Sequence, residues 1–479
     1  MVSTMATTLS QAPKTDYRLG FQSQEEETAV ERLPVQGQVP AWLTGSLVRV
    51  TPAKLEAGDR RLGHWFDGLA ALNRFGFADG VVSYRSRFLD TKAYRAAKAG
   101  GPMSAGFGTD PCRSIFQRVQ SVFSPDFTDN ANVNLVRIGE RHIAMTETPL
   151  PIEFDEETLA TVGPLRFADK AGGQVTTAHP HHDPERNELV NYSVNFSRKS
   201  EYRLWGLPAD SSSRRLIASL PVREPAYMHA FGMSERYLIL AEYPLVVNPL
   251  KLAFSGKAFI KNYRWEPERG TRFQVIDRET GSLRGTYETD AFFAFHHVNA
   301  FERGDELVID LVAFEDATII DSLYLDATGP VAALPASELR RYTIGLDSGS
   351  VRHEPLSEGT VELPRIDYRR HNTRDYRFAY FAGNANGSGE GWLDRLVKVD
   401  VAHGEVAHWA EDGCFPGEAI FVRAPGEQAE DGGVILSVVL DTRTQRSFLL
   451  VLDAGSFGEL ARAEAPHHIP YGFHGQYLR

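Results

Sequence analysis

FQVIDRETGSLRGTY (273–287) reads as two short apolar strands joined by a tight turn. Phe273, Val275 and Ile276 lead into Asp277, Gly281 follows, and Leu283 and Tyr287 resume the pattern. An Asp side chain accepts hydrogen bonds from the backbone just beyond it, and Gly tolerates left-handed backbone, so the segment specifies a β-hairpin. The same unit recurs as FGFADGVVSY (75–84), IEFDEETLATV (152–162), WGLPADSSSRRLIASL (205–220), YTIGLDSGSVRH (342–353), LVKVDVAHGEVAHW (396–409) and LLVLDAGSFGELAR (449–462). The turn residues Asp79, Asp155, Asp210, Asp277, Asp347, Asp400 and Asp453 follow one another at about 53 to 76 residues, roughly 62 on average. Between them run apolar strands such as YLILAEYP (237–244), ELVIDLVAF (306–314), GVILSVVLDT (433–442) and RSFLLVLDA (446–454). Radial repetition of a four-stranded unit is a propeller. The reading is all-β: a seven-bladed β-propeller spanning 1–479 as a single domain, with 1–15 a flexible tail.

Composition narrows the function. The chain has 479 residues, 42% hydrophobic and 24% charged, which is ordinary globular composition and excludes a disordered or fibrous protein. Its 51 Lys and Arg against 63 Asp and Glu leave a net charge of −12, unlike a general nucleic-acid binder. Only Cys112 and Cys414 occur, so neither a disulfide scaffold nor a site of several thiolates can be built. The start MVSTMATTLSQAPK lacks the basic and apolar regions of a signal peptide, and no long apolar run follows, so a cytoplasmic location is expected.

Four of the fifteen histidines share a register with the repeat. His179, His229, His296 and His474 each lie about 19 to 24 residues beyond the preceding turn aspartate, where the chain enters the innermost strand of the next blade. That placement brings four imidazoles to the propeller axis, a donor set suited to Fe, Cu, Zn or Ni. Register alone leaves competitors: His371 has a similar offset, and His181, His182 and His297 are close neighbours. Glu362 and Glu418 hold the matching positions in blades without such a histidine and are candidates to accept the second N–H of a metal-bound imidazole.

The same residues carry a resemblance. TTAHPHHD (176–183), AYMHAFGMSERYLIL (226–240), FFAFHHVNAFE (292–302) and PHHIPYGFHG (466–475) resemble the four ligand segments of the carotenoid cleavage oxygenase family, with His179, His229, His296 and His474 at the ligand positions. The family's outer glutamates map onto Glu147 in MTETP, Glu362 in VELPRIDY and Glu418 in GEAIFV; Glu147 comes from the resemblance alone. GHWFDGLAALNRF (63–75), DPCRSIF (110–116) and PDFTDNANVN (125–134) are most similar to the animal-type β-carotene oxygenases. One departure is Thr51-Pro52-Ala53, where the family usually has Gly-Pro-Gly.

The resemblance implies a propeller with one axial Fe(II) per chain, O2 as co-substrate, and a dome of loops and helices over an apolar tunnel. The implied reaction splits a conjugated double bond of a carotenoid or apocarotenoid into two aldehydes, with retinal as product if the cut is central. Phe66, Phe107, Val133, Thr146, Tyr227 and Phe295 adjoin the matched motifs and are candidates to line the substrate and O2 pocket, or else plain core. Two alternatives stand beside this reading. A stilbene-cleaving relative carries a Lys just before the ANxN segment, where this chain has Thr128-Asp129-Asn130. A metal-dependent propeller lactonase or binding protein would want oxygen ligands rather than four histidines.

A polyene is too apolar for water, so a peripheral, non-spanning membrane contact is expected. NPLKLAFSGKAFIKNYRWEPERGTR (248–272) is the candidate, with Leu252, Phe254 and Phe259 as contacts beside Leu250 and Ile260. Lys251, Lys257, Lys261, Arg264, Arg269 and Arg272 outnumber Glu266 and Glu268 there, a pattern that suits shallow insertion at anionic lipid. Nucleic acid is not an expected partner, and oligomeric state is not legible.

Overall fold

Seven antiparallel sheets of four to six strands radiate from a common axis in the computed structural model, which describes residues 16–101, 106–110, 127–330, 332–385 and 391–479. Blade 1 contains Gly45–Lys54, Leu69–Ala78 and Val81–Phe88. Blades 2 to 4 run from Asn134–Ile138 to Thr161–Pro164, from Val175–Thr176 to Arg215–Pro221, and from Gly232–Met233 to Leu283–Thr289. Blades 5 to 7 run from His297–Arg303 to Val351–Pro355, from Thr360–Arg365 to Glu405–Ala410, and from Cys414–Pro416 to Glu459–Glu464. Each of the seven turn aspartates joins the third and fourth strands of its blade.

The turn chemistry follows from the residues. Asp277 Oδ1 accepts from the backbone N–H of Thr280 at 2.9 Å, and Gly281, at φ +70°, donates back to the Asp277 carbonyl. At Asp155 and Asp453 the left-handed position falls instead on Leu159 (φ 56°) and Phe457 (φ 60°). That costs a non-glycine residue about 1–2 kcal/mol, and burying both side chains in the interior offsets it.

Packing explains the apolar runs. A blade is covered on both faces by its neighbours, so its middle strands are buried throughout, as in Glu306–Phe314 and Tyr237–Glu242. Outer strands alternate or face solvent, as in Val81–Phe88 and Glu405–Ala410. The ring is closed by both ends of the chain. C-terminal Gly475–Leu478 supplies the innermost strand of blade 1, pairing Arg49 with Gly475 and Ser46 with Leu478, and N-terminal Val35–Gly37 adds to the outer edge of blade 7. The Thr51-Pro52-Ala53 departure lies in the second strand of this closing blade, where pairing with Leu69–Ala78 shifts register between Pro52 and Lys54.

Between blades 1 and 2 the chain makes its longest excursion, containing the helix Lys92–Lys98; the DPCRSIF motif from residue 111 on, Cys112, and the first two residues of PDFTDNANVN lie outside the described residues, as does the 1–15 tail. Short helices Pro249–Ser255, Thr318–Ser322 and Tyr368–His371 come from other inter-strand connections. No helix among the described residues is long and apolar enough to cross a membrane.

Candidate metal centre

One axial position per blade lies at the inner strand: Val133, His296 and His474 immediately precede theirs, His229 stands three residues before its own, His179 and Glu418 lie between two short inner segments, and Glu362 lies within its strand. Four of these are the register histidines, and their ligating nitrogens all lie within 4.8 Å of one another. The Nε2 atoms of His179 and His229 are 2.9 Å apart, and those of His296 and His474 3.1 Å apart. At a metal–imidazole distance of about 2.1 Å, ligands at a right angle are about 3.0 Å apart and tetrahedral ones about 3.4 Å. Both pairs are thus close enough to share one cation. His371 stands apart: its Nδ1 bonds the Asp375 carbonyl and its Nε2 faces Glu430. His181 bonds Tyr368 and the Phe231 carbonyl.

Three carboxylates orient the rings. His229 Nδ1 donates to Glu147 at 2.8 Å, His296 Nδ1 to Glu362 at 2.6 Å and His474 Nδ1 to Glu418 at 2.7 Å. Each bond places the proton on Nδ1 and turns the Nε2 lone pair inwards. His179 has no such carboxylate. It is fixed through Thr177, whose hydroxyl accepts from the His179 backbone N–H at 3.0 Å and donates to the His229 carbonyl. Burial holds His179 well below the usual imidazole range and His474 at about 4, with Glu418 opposing the latter, so both rings are neutral donors.

The three glutamates are not alike. Glu147, also bonded by the Tyr227 hydroxyl at 3.0 Å, leaves blade 2 after its second strand rather than its first, which is why the repeat register gave no sign of it. Glu362 accepts from His296 and from the Leu363 N–H on one oxygen, while its other oxygen is buried without a partner. Leu363 is held at φ 56° beside it, a strained conformation of the kind that gathers at functional sites. Glu418 is fully buried, and accepts from His474, from Arg365 Nε at 2.7 Å and from the Gly475 N–H at 2.9 Å. Burial works against its charge, but Arg365, His474 and Arg49 hold it far below the usual carboxylate range.

An apolar cavity opens onto this ring. His229, His296 and His474 lie on its wall together with Val133, Phe66 and Phe295. Alternate asparagines set the Val133 segment. Asn132 Nδ2 bonds the Phe66 carbonyl at 2.8 Å and Asn134 Nδ2 the Ala178 carbonyl at 2.8 Å, tying blade 2 to the Phe66 loop and to His179. Phe107, Thr146 and Tyr227 do not line the cavity. Phe107 packs behind Phe66 at 5.1 Å, Tyr227 stacks on Phe293 while serving Glu147, and Thr146 is half-buried beside Glu147. Trp65, Phe314, Ile319, Leu334, Trp392 and Phe473 add further apolar surface to the wall, and Glu362 also lies on it. Most of these come from irregular connections, where neither period nor motif marks a residue as lining.

Residues 21–479 match the family model described as retinal pigment epithelial membrane protein. The chain belongs to this family, that of the carotenoid oxygenases. This carotenoid oxygenase is 36% identical to the mitochondrial carotenoid-cleaving dioxygenase of Macaca fascicularis, over 94% of its own length and 93% of the relative's. It is 32% identical to human beta,beta-carotene 15,15'-dioxygenase, over 95% and 93%. Among solved structures, a variant of the Synechocystis apocarotenoid oxygenase superposes with a TM-score of 0.85 at 27% identity, over 98% of this chain and 100% of that one. The cobalt-substituted form of that enzyme superposes at 0.84 with 28% identity, over 97% and 98%.

Proposed function

We propose that the protein is a non-haem Fe(II) dioxygenase that cleaves one conjugated double bond of a carotenoid or apocarotenoid with O2, giving two aldehydes. The observation that carries the reading is the combination of four convergent imidazoles, three of them braced by carboxylates, with an apolar cavity opening directly onto them. Iron held by His179, His229, His296 and His474 would supply reactivity towards O2. The protein's own part is positioning and exclusion of water. Phe66 and Phe295 bound the space where a flat polyene would lie, and Val133 presents methyl groups where the other axial positions present ligands or carboxylates. A C=C bond and O2 contain all the atoms of two C=O groups, so no acid, base or external reductant is required. Among the described residues the cavity wall accordingly offers no Ser-His-Asp or paired-carboxylate arrangement.

A ringed polyene of forty carbons or fewer is favoured over a stilbene. Asp129, close to where a stilbene-type lysine would stand, has its carboxylate committed to the N–H groups of Lys92 and Ala93 at a helix start. Iron-loaded enzyme would be mixed anaerobically with β-carotene, an apocarotenal or a hydroxystilbene and then given 18O2. Labelled aldehydes are expected from the polyenes, with retinal if the cut is central. Turnover of the stilbene above every polyene would overturn the reading.

Membrane docking belongs to the same proposal, with a revised contact surface. The helix Pro249–Ser255 is started by Asn248, whose side chain accepts from Leu250 and Lys251 N–H, and ended by Gly256 at φ 62°. On it Leu250 and Phe254 are 62% and 73% exposed and lie one turn apart. Leu252 is half-buried, and Phe259 packs inwards against Tyr263 at 5.1 Å and Phe107 at 6.3 Å. The local positive charge is smaller than a count of residues suggests: Lys261, Arg264, Arg269 and Arg272 are ion-paired, while Lys251 and Lys257 have no salt bridge among the described residues. Burying a Leu and a Phe is worth about 1.5–3 kcal/mol each. The L250S/F254S double variant should therefore lower liposome partitioning by roughly tenfold or more, and slow turnover of liposomal but not detergent-dispersed substrate. Unchanged co-sedimentation with vesicles would place the contact elsewhere.

A further inference from the structure

Beside the metal centre, between blades 1 and 7, lies a second and smaller pocket. Its wall contains Arg49, Thr51, Asn73 and Tyr471, set among Phe415, Val438, Leu440, Ile469 and Pro470. Among the described residues Arg49 is the one charged residue on that wall. It is 2% exposed, its Nη2 donates to the Phe473 carbonyl at 2.9 Å, and its Nη1 has no partner. The Tyr471 hydroxyl, 6% exposed as a residue, is also without one. No salt bridge to Arg49 exists among the described residues, and the nearest carboxylate, Glu418, is committed to Arg365, His474 and Gly475.

The space around the guanidinium is built in rather than left over. A Cβ at Gly417 would stand 2.5 Å from Arg49 Nη1, one at Gly472 2.9 Å from Thr51 Oγ1, and one at Gly475 2.6 Å from Arg49 Cγ. Three glycines thus admit a buried cation where side chains would exclude it. Thr51 is where the sequence departs from its family's usual glycine, and the departure adds a hydroxyl to this pocket. That hydroxyl already accepts from Asn73 Nδ2 at 3.2 Å, so its own proton is free to be donated. Burial keeps the Tyr471 phenol protonated, as a further donor. A buried guanidinium nitrogen without an acceptor is costly, and in low-dielectric surroundings it attracts negative charge strongly.

We propose that this pocket is a binding site for a small monoanion of the size of chloride or formate, held by Arg49 together with Tyr471 and Thr51. The site is separate from the substrate cavity but shares Gly417, Tyr471 and Gly472 with it. It does not depend on which metal or polyene the enzyme uses.

The test takes iron-loaded enzyme in sodium gluconate, a bulky reference anion, and exchanges it for bromide, chloride or formate at constant ionic strength. The melting temperature is expected to rise saturably with each small anion, and crystals in bromide should show an anomalous peak within hydrogen-bonding reach of Arg49 Nη1. In Tyr471→Phe the half-saturating concentration should rise about tenfold or more, with wild-type melting retained in gluconate because the lost hydroxyl had no partner. Arg49→Met should abolish the response; if that variant fails to fold, Tyr471→Phe still decides. Identical melting in all four anions, a wild-type midpoint in Tyr471→Phe, or bromide found only on the surface would each overturn the proposal.

Discussion

Replacing His179 or His296 by alanine is expected to lower iron content and cleavage by well over a hundredfold, since even changes in the residues that orient ligands cost about 10–100-fold. The blades carry their own cores, so both variants should retain the propeller's circular dichroism. Their stabilities should differ. His179 has no carboxylate partner, so its removal leaves no buried charge without a hydrogen bond. His296 is the side-chain donor to Glu362, whose second oxygen already lacks a partner. His296→Ala therefore strands a buried carboxylate, at about 1–3 kcal/mol, and should melt below His179→Ala when both are metal-free. Iron analysis, product yield and metal-free melting check this. Full activity in His296→Ala, or undiminished turnover with zinc in place of iron, would overturn the assignment of iron dependence to the four histidines.

The propeller was legible because its repeat is chemical as well as geometric. Asp at the third-to-fourth-strand turn accepts the backbone N–H groups that the turn exposes, and all seven such aspartates fall there. Axial histidines could be read from the same register because entry to an inner strand is a fixed distance from that turn. Glu147 could not, since it leaves a second strand, and Val133 could not be counted from Asp79 across the long connection between blades 1 and 2. The cavity wall was least legible. Trp65, Ile319, Leu334 and Trp392 reach it from short helices and loops between strands, whose path depends on contacts distant in sequence. Among the membrane candidates, an apolar pattern of Leu252, Phe254 and Phe259 did not reveal which residue a seven-residue helix would turn outwards. Leu250 and Phe254 share the open face because they are four apart.

Glu418 and Glu362 look equivalent as histidine partners, yet their amide variants should behave very differently. Gln at 362 can keep its oxygen towards His296 Nδ1 and the Leu363 N–H, and turn its NH2 towards the side where the carboxylate has no partner. Glu362→Gln should therefore cost under about 1 kcal/mol of stability, while weakening iron binding within the 10–100-fold range because its pull on the His296 proton is reduced. Glu418 has no idle side. One oxygen accepts from both His474 and Arg365, and the other from the Gly475 N–H, so an amide necessarily points its NH2 at a donor. Its lost charge also leaves Arg365 and Arg49 without the carboxylate that both face. Breaking a buried ion pair in this way costs about 3–5 kcal/mol. Glu418→Gln should thus lower the metal-free melting temperature by several degrees where Glu362→Gln barely moves it, although both lose activity. Gly475 begins the strand that closes the ring, so the damage should also raise protease sensitivity at the C-terminus. Equal melting losses in the two variants would mean that the arginines are neutralised by something other than Glu418, and a small anion beside Arg49 is the species that could do so.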